Sequence, residues 1–420
     1  MLISFTVKNW MCFKEEITFY MEKTRERQHS DRIPRSDAND ISILPIGAIY
    51  GANASGKSSL YKAIKFAHDF ICTPLPKPET KIPINPYKLD DDSRNNPSTF
   101  EFDVLINEKR YVYMFSVSKE EVLEEKLVEV RKSGSEKVLF HREKGNDDPR
   151  LAKGMKERDR MQYAFKNTRP NMLFLSKTVE DNIDEFRFFR DWLYHQLILI
   201  EPYNISSMYK QYDIDVGNKI LGDASQIIRD YDTGISNIEL MEHQLPEKFI
   251  NELDKSSENN SYFLYLSNEM KKEILFRHKG DQGKDYFLDE HEQSDGTRRI
   301  LELLHPMTKK GIFGKRPLTI IIDEIDRSLH TLATRKYIEN FLEGCNKDSR
   351  DQLIFTTHDI LLMDQDILRR DEIHLLDKDE FGSSKLYSLA EFKELRYDLN
   401  LMNNYLIGRF DGIPKIEKEL

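Results

Sequence analysis

Residues 51–58, Gly-Ala-Asn-Ala-Ser-Gly-Lys-Ser, constrain this chain more than any other stretch. They fit G-x-x-x-x-G-K-[ST], and they lie between an apolar run (41–50) and a segment with Leu60, Ala63, Ile64, Ala67, Phe70 and Ile71 at helical spacing. The pattern predicts a strand, a tight loop and a helix in immediate succession. Two glycines let the backbone curl so that successive N–H groups face an anion, and the helix N-terminus adds its positive end. On that reading Gly51, Asn53, Ser55, Gly56, Lys57, Ser58 and Ser59 hold nucleotide phosphates, with Lys57 on the β/γ oxygens and Ser58 as a Mg²⁺ ligand. The plainer alternative is a glycine-containing turn before a helix. The strand before and the helix after favour the phosphate.

A second element is Leu318-Thr319-Ile320-Ile321-Ile322-Asp323-Glu324. A β-branched run ending in a carboxylate marks a buried parallel strand that delivers the acid to its C-terminal edge, where open α/β sheets place their ligands. Asp323 is then expected to hold Mg²⁺ and Glu324 to polarise the attacking water. Taken alone, the same run reads as a core strand ending in a solvated acidic pair. His358 follows a third apolar run (352–356) and lies 35 residues after Asp323, as a neighbouring parallel strand would require. It is expected beside Glu324, touching the γ-phosphate, although a lone histidine after a strand is more often a surface residue.

The rest of the chain frames these elements. Alternation at Ile3, Phe5 and Val7, and again at 16–19, predicts two paired strands; 99–106, 109–117 and 125–130 predict an antiparallel sheet. Prolines 74, 76 and 78 should end the helix after the glycine loop. Residues 141–160 mix both charge signs and read as a solvated loop; 171–199 reads as helical, its aromatic cluster at 186–194 more a core face than a partner site. Strands are expected at 262–266, 273–278, 285–288 and 352–356, helices near Gly296 and over 332–342, and a polar break at 254–260. The final residues, 401–420, read as a tail that could dock on a neighbour. A net charge of −10 argues against coating nucleic acid or anionic membrane by bulk charge. Three scattered cysteines offer neither a disulfide framework nor a zinc knuckle, and no apolar run approaches bilayer length. These features point to the cytoplasm.

In this order the motifs resemble the ATPase heads of the ABC superfamily, in the SMC/RecF/OLD branch. The decisive piece is Glu292-Gln293-Ser294-Asp295-Gly296-Thr297-Arg298-Arg299, whose Gly296 lies 27 residues ahead of Asp323 and which looks like that family's signature. The resemblance implies a mixed α/β ABC-ATPase-like head with an antiparallel β lobe, split by a mainly helical insert. Residues 1–140 and 262–400 would form the head and 141–261 the insert. It implies ATP and Mg²⁺ as ligands and a head-to-tail dimer or higher homo-oligomer, in which Ser294, Asp295, Gly296 and Thr297 of one copy close over the γ-phosphate of the other. Two positions depart from the family pattern. Asp295 replaces a glycine, and its carboxylate is unwelcome near phosphate unless it points away; His330 stands where many members carry Asp. Both variants look like those of AAA-like ATP-binding proteins of bacterial anti-phage and abortive-infection operons. Gln162 and Gln196 are candidates, by position only, for that family's Q-loop.

The resemblance implies an ATPase subunit that senses infection and controls a separately encoded nuclease or toxin. The 62 residues after His358 are too few for the TOPRIM nuclease of OLD-type relatives. Two other readings remain open: a RecF-like factor clamping duplex DNA, and a scaffold glued by ATP with little turnover.

Overall fold

Apolar alternation along Lys109–Val117 buries Tyr111, Tyr113, Phe115 and Val117 on one side and leaves the intervening residues half-exposed. This period of two specifies a sheet with one face packed and one wet. The computed structural model describes all residues except 147, 202–204, 232, 243–271, 315, 393–399 and 411–420, and omits the side chains of 205–207 and 311–313. Two compact units are described: Met1–Leu199 with Pro317–Ile325 and Arg335–Leu420, and Ile200–Arg316 with Asp326–Thr334.

The first unit contains a seven-stranded antiparallel sheet. Its order is Arg150–Leu151, Glu136–Glu143, Val122–Val130, Lys109–Val117, Ser98–Ile106, Leu2–Lys8 and Ile17–Tyr20. The predicted pairing of the first two strands is present, with Phe5 opposite Phe19. Helices Arg158–Lys166, Phe174–Glu180 and Arg187–Gln196 belong to the same unit. Most of the aromatic cluster is core, as expected, while Tyr194 is exposed: the Phe186 ring lies tilted 4.8 Å from Phe140 and Phe189 lies 5.0 Å from Tyr113. Each fully buried ring of this kind contributes about 1.5–3 kcal/mol.

Two expectations are corrected here. Residues 141–160 are not a loop throughout: Glu136–Glu143 runs into them, Arg150–Leu151 pairs with it, and a helix starts at Arg158. Charged side chains suit an edge strand, where they discourage pairing with another chain. The division at 141 is also displaced, because residues up to Leu199 stay with the first unit. The apolar face of the antiparallel sheet needs a cover, and Phe174, Phe186, Phe189 and Trp192 supply it.

The unit's other sheet has the order Leu197–Ile200, Thr319–Ile322, Gln352–Thr356, Ile46–Gly51, Ile373–Lys378 and Ser384–Ser388. The four from Thr319–Ile322 to Ile373–Lys378 are parallel. Ile46–Gly51, Thr319–Ile322 and Gln352–Thr356 are buried at every residue, as central parallel strands covered on both faces must be. Because they are parallel, their C-terminal ends share one edge. Helix Lys57–Cys72 leaves that edge, burying Leu60, Ala63, Ile64, Ala67 and Ile71, and stops before the prolines. Toward the C-terminus, Leu401, Tyr405 and Phe410 are buried and the Tyr387 hydroxyl donates to the Phe410 carbonyl, so this part of the expected tail packs on its own unit.

The second unit holds a three-stranded antiparallel sheet, Ile235–Glu242, Lys272–Lys279 and Asp285–Asp289, with helices Ile214–Ile228 and Asp295–Phe313. Gly217 permits close helix-on-sheet packing, since a Cβ there would sit 2.6 Å from Leu240. The segments 254–260 and 262–266 lie outside the described residues.

Candidate nucleotide site

The glycine loop has the backbone its sequence demands. Gly51 and Gly56 carry φ of 154° and 116°, and Ala54 is left-handed at 63°. A Cβ on Gly51 would lie 2.4 Å from the Ser55 hydroxyl and 2.5 Å from the Leu376 carbonyl; one on Gly56 would lie 2.7 Å from the Cys12 sulfur. Only glycine fits both places. Lys57, 6% exposed, turns back and donates to the carbonyls of Gly51 (2.7 Å) and Ala52 (3.1 Å), and its Nζ is 3.4 Å from His358 Nδ1. The Ser55 hydroxyl is buried without a hydrogen-bond partner.

Strand ends bring the acids to this loop. Ser58 Oγ donates to Asp323 Oδ1 at 3.3 Å, and Thr356 Oγ1 donates to the same oxygen at 2.7 Å. Thr356 Oγ1 also accepts from the Glu324 amide at 2.7 Å. One threonine thus links the two consecutive acids from the neighbouring strand. Glu324 sits at φ 52°, a left-handed conformation that costs a non-glycine residue roughly 1–3 kcal/mol and concentrates at functional sites. The bonds to Thr356, from the Glu324 amide to its hydroxyl and from the Ile325 amide to its carbonyl, hold the turn in place.

A cavity of about 580 Å³ is lined by Asn53, Gly56, Lys57, Ser58, Ser59, Glu324 and His358 at the phosphate loop, with Met11, Cys12, Tyr87 and Lys378 among the other walls. The structure therefore gathers the loop residues, Asp323, Glu324 and His358. Neither Gln162 nor Gln196 lines that cavity. Sequence reading missed Thr356, although a hydroxyl ending the strand before His358 was a usable signal, and missed the cavity's outer walls, which come from distant loops.

The signature residues belong to the second unit. Ser294 caps helix Asp295–Phe313: its Oγ accepts from the Thr297 amide at 3.1 Å and is 2.9 Å from Thr297 Oγ1. Asp295 pairs with Arg298, which occupies the carboxylate. Gly296 allows the chain to approach closely, since a Cβ would lie 2.8 Å from the Ser328 carbonyl. His330 Nδ1 accepts from the Leu332 amide at 3.1 Å, at the start of helix Thr331–Glu343. This imidazole does the capping that an aspartate would do there.

A glycine loop opening a helix, beside two consecutive acids at the C-terminal end of a parallel strand of the same sheet, defines a P-loop nucleotide-binding fold. The chain belongs to the family described as "AAA domain, putative AbiEii toxin, Type IV TA system", whose model matches residues 46–364. No curated protein sequence matches it. Among solved structures it is similar to an SMC head bound to the C-winged helix domain of ScpA (13% identity, 92% of this chain and 97% of that one, TM-score 0.45). An SMC head domain from Thermotoga maritima (15%, 92% and 98%, 0.38) and an SMC head from Pyrococcus furiosus with an extended coiled coil, bound to the C-terminal domain of ScpA (13%, 92% and 96%, 0.39), are also similar. Among the described residues no helix is long and apolar enough to cross a membrane.

Proposed function

We propose that this chain is an ATP-hydrolysing subunit of a bacterial anti-phage defence system, acting in the cytoplasm, in which ATP-dependent assembly of copies governs a separately encoded nuclease or toxin. The observation that carries the ATPase assignment is the shared oxygen of Asp323, which takes hydrogen bonds from Ser58 of the phosphate loop and from Thr356. The family's description, which names a toxin and a type IV system, supports the defence role.

Lys57 exchanges its loop carbonyls for β/γ-phosphate oxygens as the nucleotide enters. The Ser58 hydroxyl and the Asp323 carboxylate form an all-oxygen set of the kind that suits Mg²⁺, directly or through water. Bound there, Mg²⁺ would neutralise charge on the phosphates. Glu324, its amide fixed by Thr356, orients the attacking water, and His358 contacts the γ-phosphate. Ser294 and the amide end of helix Asp295–Phe313, from a second copy, complete the site as an electrostatic lid. Asp295 is compatible with that role because Arg298 neutralises it.

The enzymatic test is turnover against protein concentration. ATPase activity per protomer should fall on dilution, and activity independent of concentration contradicts the shared site. For the biological role, deleting the gene should abolish phage resistance, and a pulldown of the native operon's products should recover the effector. Unchanged resistance with no recovered partner overturns it. ATP-stimulated duplex binding at low salt would favour the DNA-clamping alternative.

A further inference from the structure

Away from the nucleotide site, three potential metal ligands converge on the edge of the antiparallel sheet. His141 and Glu143 are two apart on strand Glu136–Glu143 and so share a face. Glu124, on strand Val122–Val130, is directly opposite Glu143. His141 Nε2 lies 2.9 Å from Glu124 Oε1 and 3.8 Å from Glu143 Oε1, and one ligand atom from each residue lies within 4.8 Å of the others.

This arrangement has a feature that an ordinary charged surface avoids. Two carboxylates directly opposite across a ladder repel and destabilise the pairing. Lys126 stands opposite His141 on the same face and pairs with Glu136, and Lys144 pairs with Glu121. Arg150 stands opposite His141 but is exposed. What lies between the two acids is the imidazole, 13% exposed, with its nitrogen turned toward both. Glu143 is further oriented by a hydrogen bond from Asn146 at 2.9 Å.

We infer that Glu124, His141 and Glu143 form a surface site for a divalent transition-metal ion of the zinc, cobalt or manganese class. Metal–ligand bonds of about 2.0–2.2 Å place neighbouring ligand atoms about 3–3.5 Å apart, so the two histidine separations straddle the requirement and the side chains close the rest by small rotations. One imidazole with two carboxylates selects these ions over Mg²⁺, which prefers oxygen alone. Three protein ligands leave the remaining positions to water. The ion clips two adjacent strands at the sheet margin, so it acts on stability. The site stands independently of the proposed ATPase cycle.

The test uses the full-length protein in excess Mg²⁺ without nucleotide, titrated with Co²⁺ and followed by its visible absorption, and in parallel with Zn²⁺ followed by melting temperature. One equivalent of Co²⁺ should give a visible band and Zn²⁺ should raise Tm. His141→Ala should weaken Co²⁺ binding by at least about 100-fold, as expected for losing one of only three ligands. Should that variant misfold, Glu143→Gln, at a half-exposed position, gives the same reading. Ser58→Ala should titrate like the parent. The inference is overturned if no band develops, if His141→Ala or Glu143→Gln binds Co²⁺ as the parent does, or if Ser58→Ala alone abolishes the band.

Discussion

The phosphate-loop site and the signature tip solve opposite problems. At the first, the contacts that join the loop, the acids and His358 are long-range in sequence: Ser58 to Asp323, Lys57 to His358, Glu324 to Thr356. At the second, contacts around the tip are mostly local: Ser294 binds Thr297 and Asp295 pairs with Arg298, each three residues on. Lys57 and Asp323 are buried, whereas Asp295 and Gly296 are at least partly open. The site proposed to perform chemistry is locked by several strands of a rigid sheet. The tip proposed to engage a second copy sits at a helix end, assembled from its own neighbours.

The sharpest way to break this comparison is to remove the central charges of the first site. Lys57→Ala should abolish binding of a fluorescent ATP analogue. Glu324→Gln should bind it normally while kcat falls by about 10²–10³, the scale of losing one positioned catalytic group. The split between binding and turnover distinguishes the two roles. Normal turnover in either variant refutes the assignment.

Acid response should separate the units next. In the second, burial and then the nearby Lys309 push His305 down to about 4. The unfolded chain therefore binds more protons between about pH 6.5 and 4, and stability is lost as pH falls through that window, by of order 3 kcal/mol in all. The first unit holds groups of both signs. His374, at about 4, and the buried Met1 ammonium, at about 5, lose stability on acidification, while Glu372, raised by burial to about 7, gains it. His305→Phe should flatten the acid limb of the second unit's urea unfolding between pH 6.5 and 4 and leave the first unit's unchanged. A parallel curve for variant and parent would show that His305 is not the group responsible.

Thr356→Val tests how the first site is held. It deletes the donor to Asp323 and the acceptor for the Glu324 amide while keeping shape, so about 1–3 kcal/mol of stability should go. ATP should still bind, with kcat reduced roughly tenfold because Glu324 loses its fixed backbone. Unchanged kcat would mean that the left-handed turn at Glu324 is held by the strand alone.

Legibility followed the same division. The glycine loop, Asp323 and Glu324 were readable because phosphate chemistry demands fixed residue types at fixed offsets, and the strands because alternation in 99–106 and 109–117 leaves no other period. Thr356 escaped because its role depends on which strand lies beside Asp323, a fact of sheet order. The hairpin at 136–151 escaped because charge on an edge strand looks like charge in a loop. The second unit's start at Ile200 escaped because the aromatic residues at 186–192 reveal burial but not against which sheet.

The smallest effect should come from the signature cap, and it is the one that sharpens the comparison most. Ser294→Ala removes the acceptor for the Thr297 amide, and cap loss of this kind costs about 1 kcal/mol. If Ser294 were only a cap, Ser294→Asp would rescue both stability and turnover, because aspartate caps equally well. If its hydroxyl also faces a triphosphate from another copy, aspartate restores the melting temperature but places a second carboxylate beside Asp295, and turnover stays low by electrostatic repulsion. Measuring Tm and concentration-dependent ATPase on the two variants therefore distinguishes a helix end that merely terminates from one that acts on phosphate. Full recovery of turnover in Ser294→Asp would remove the tip from the proposed mechanism while leaving the phosphate-loop site intact.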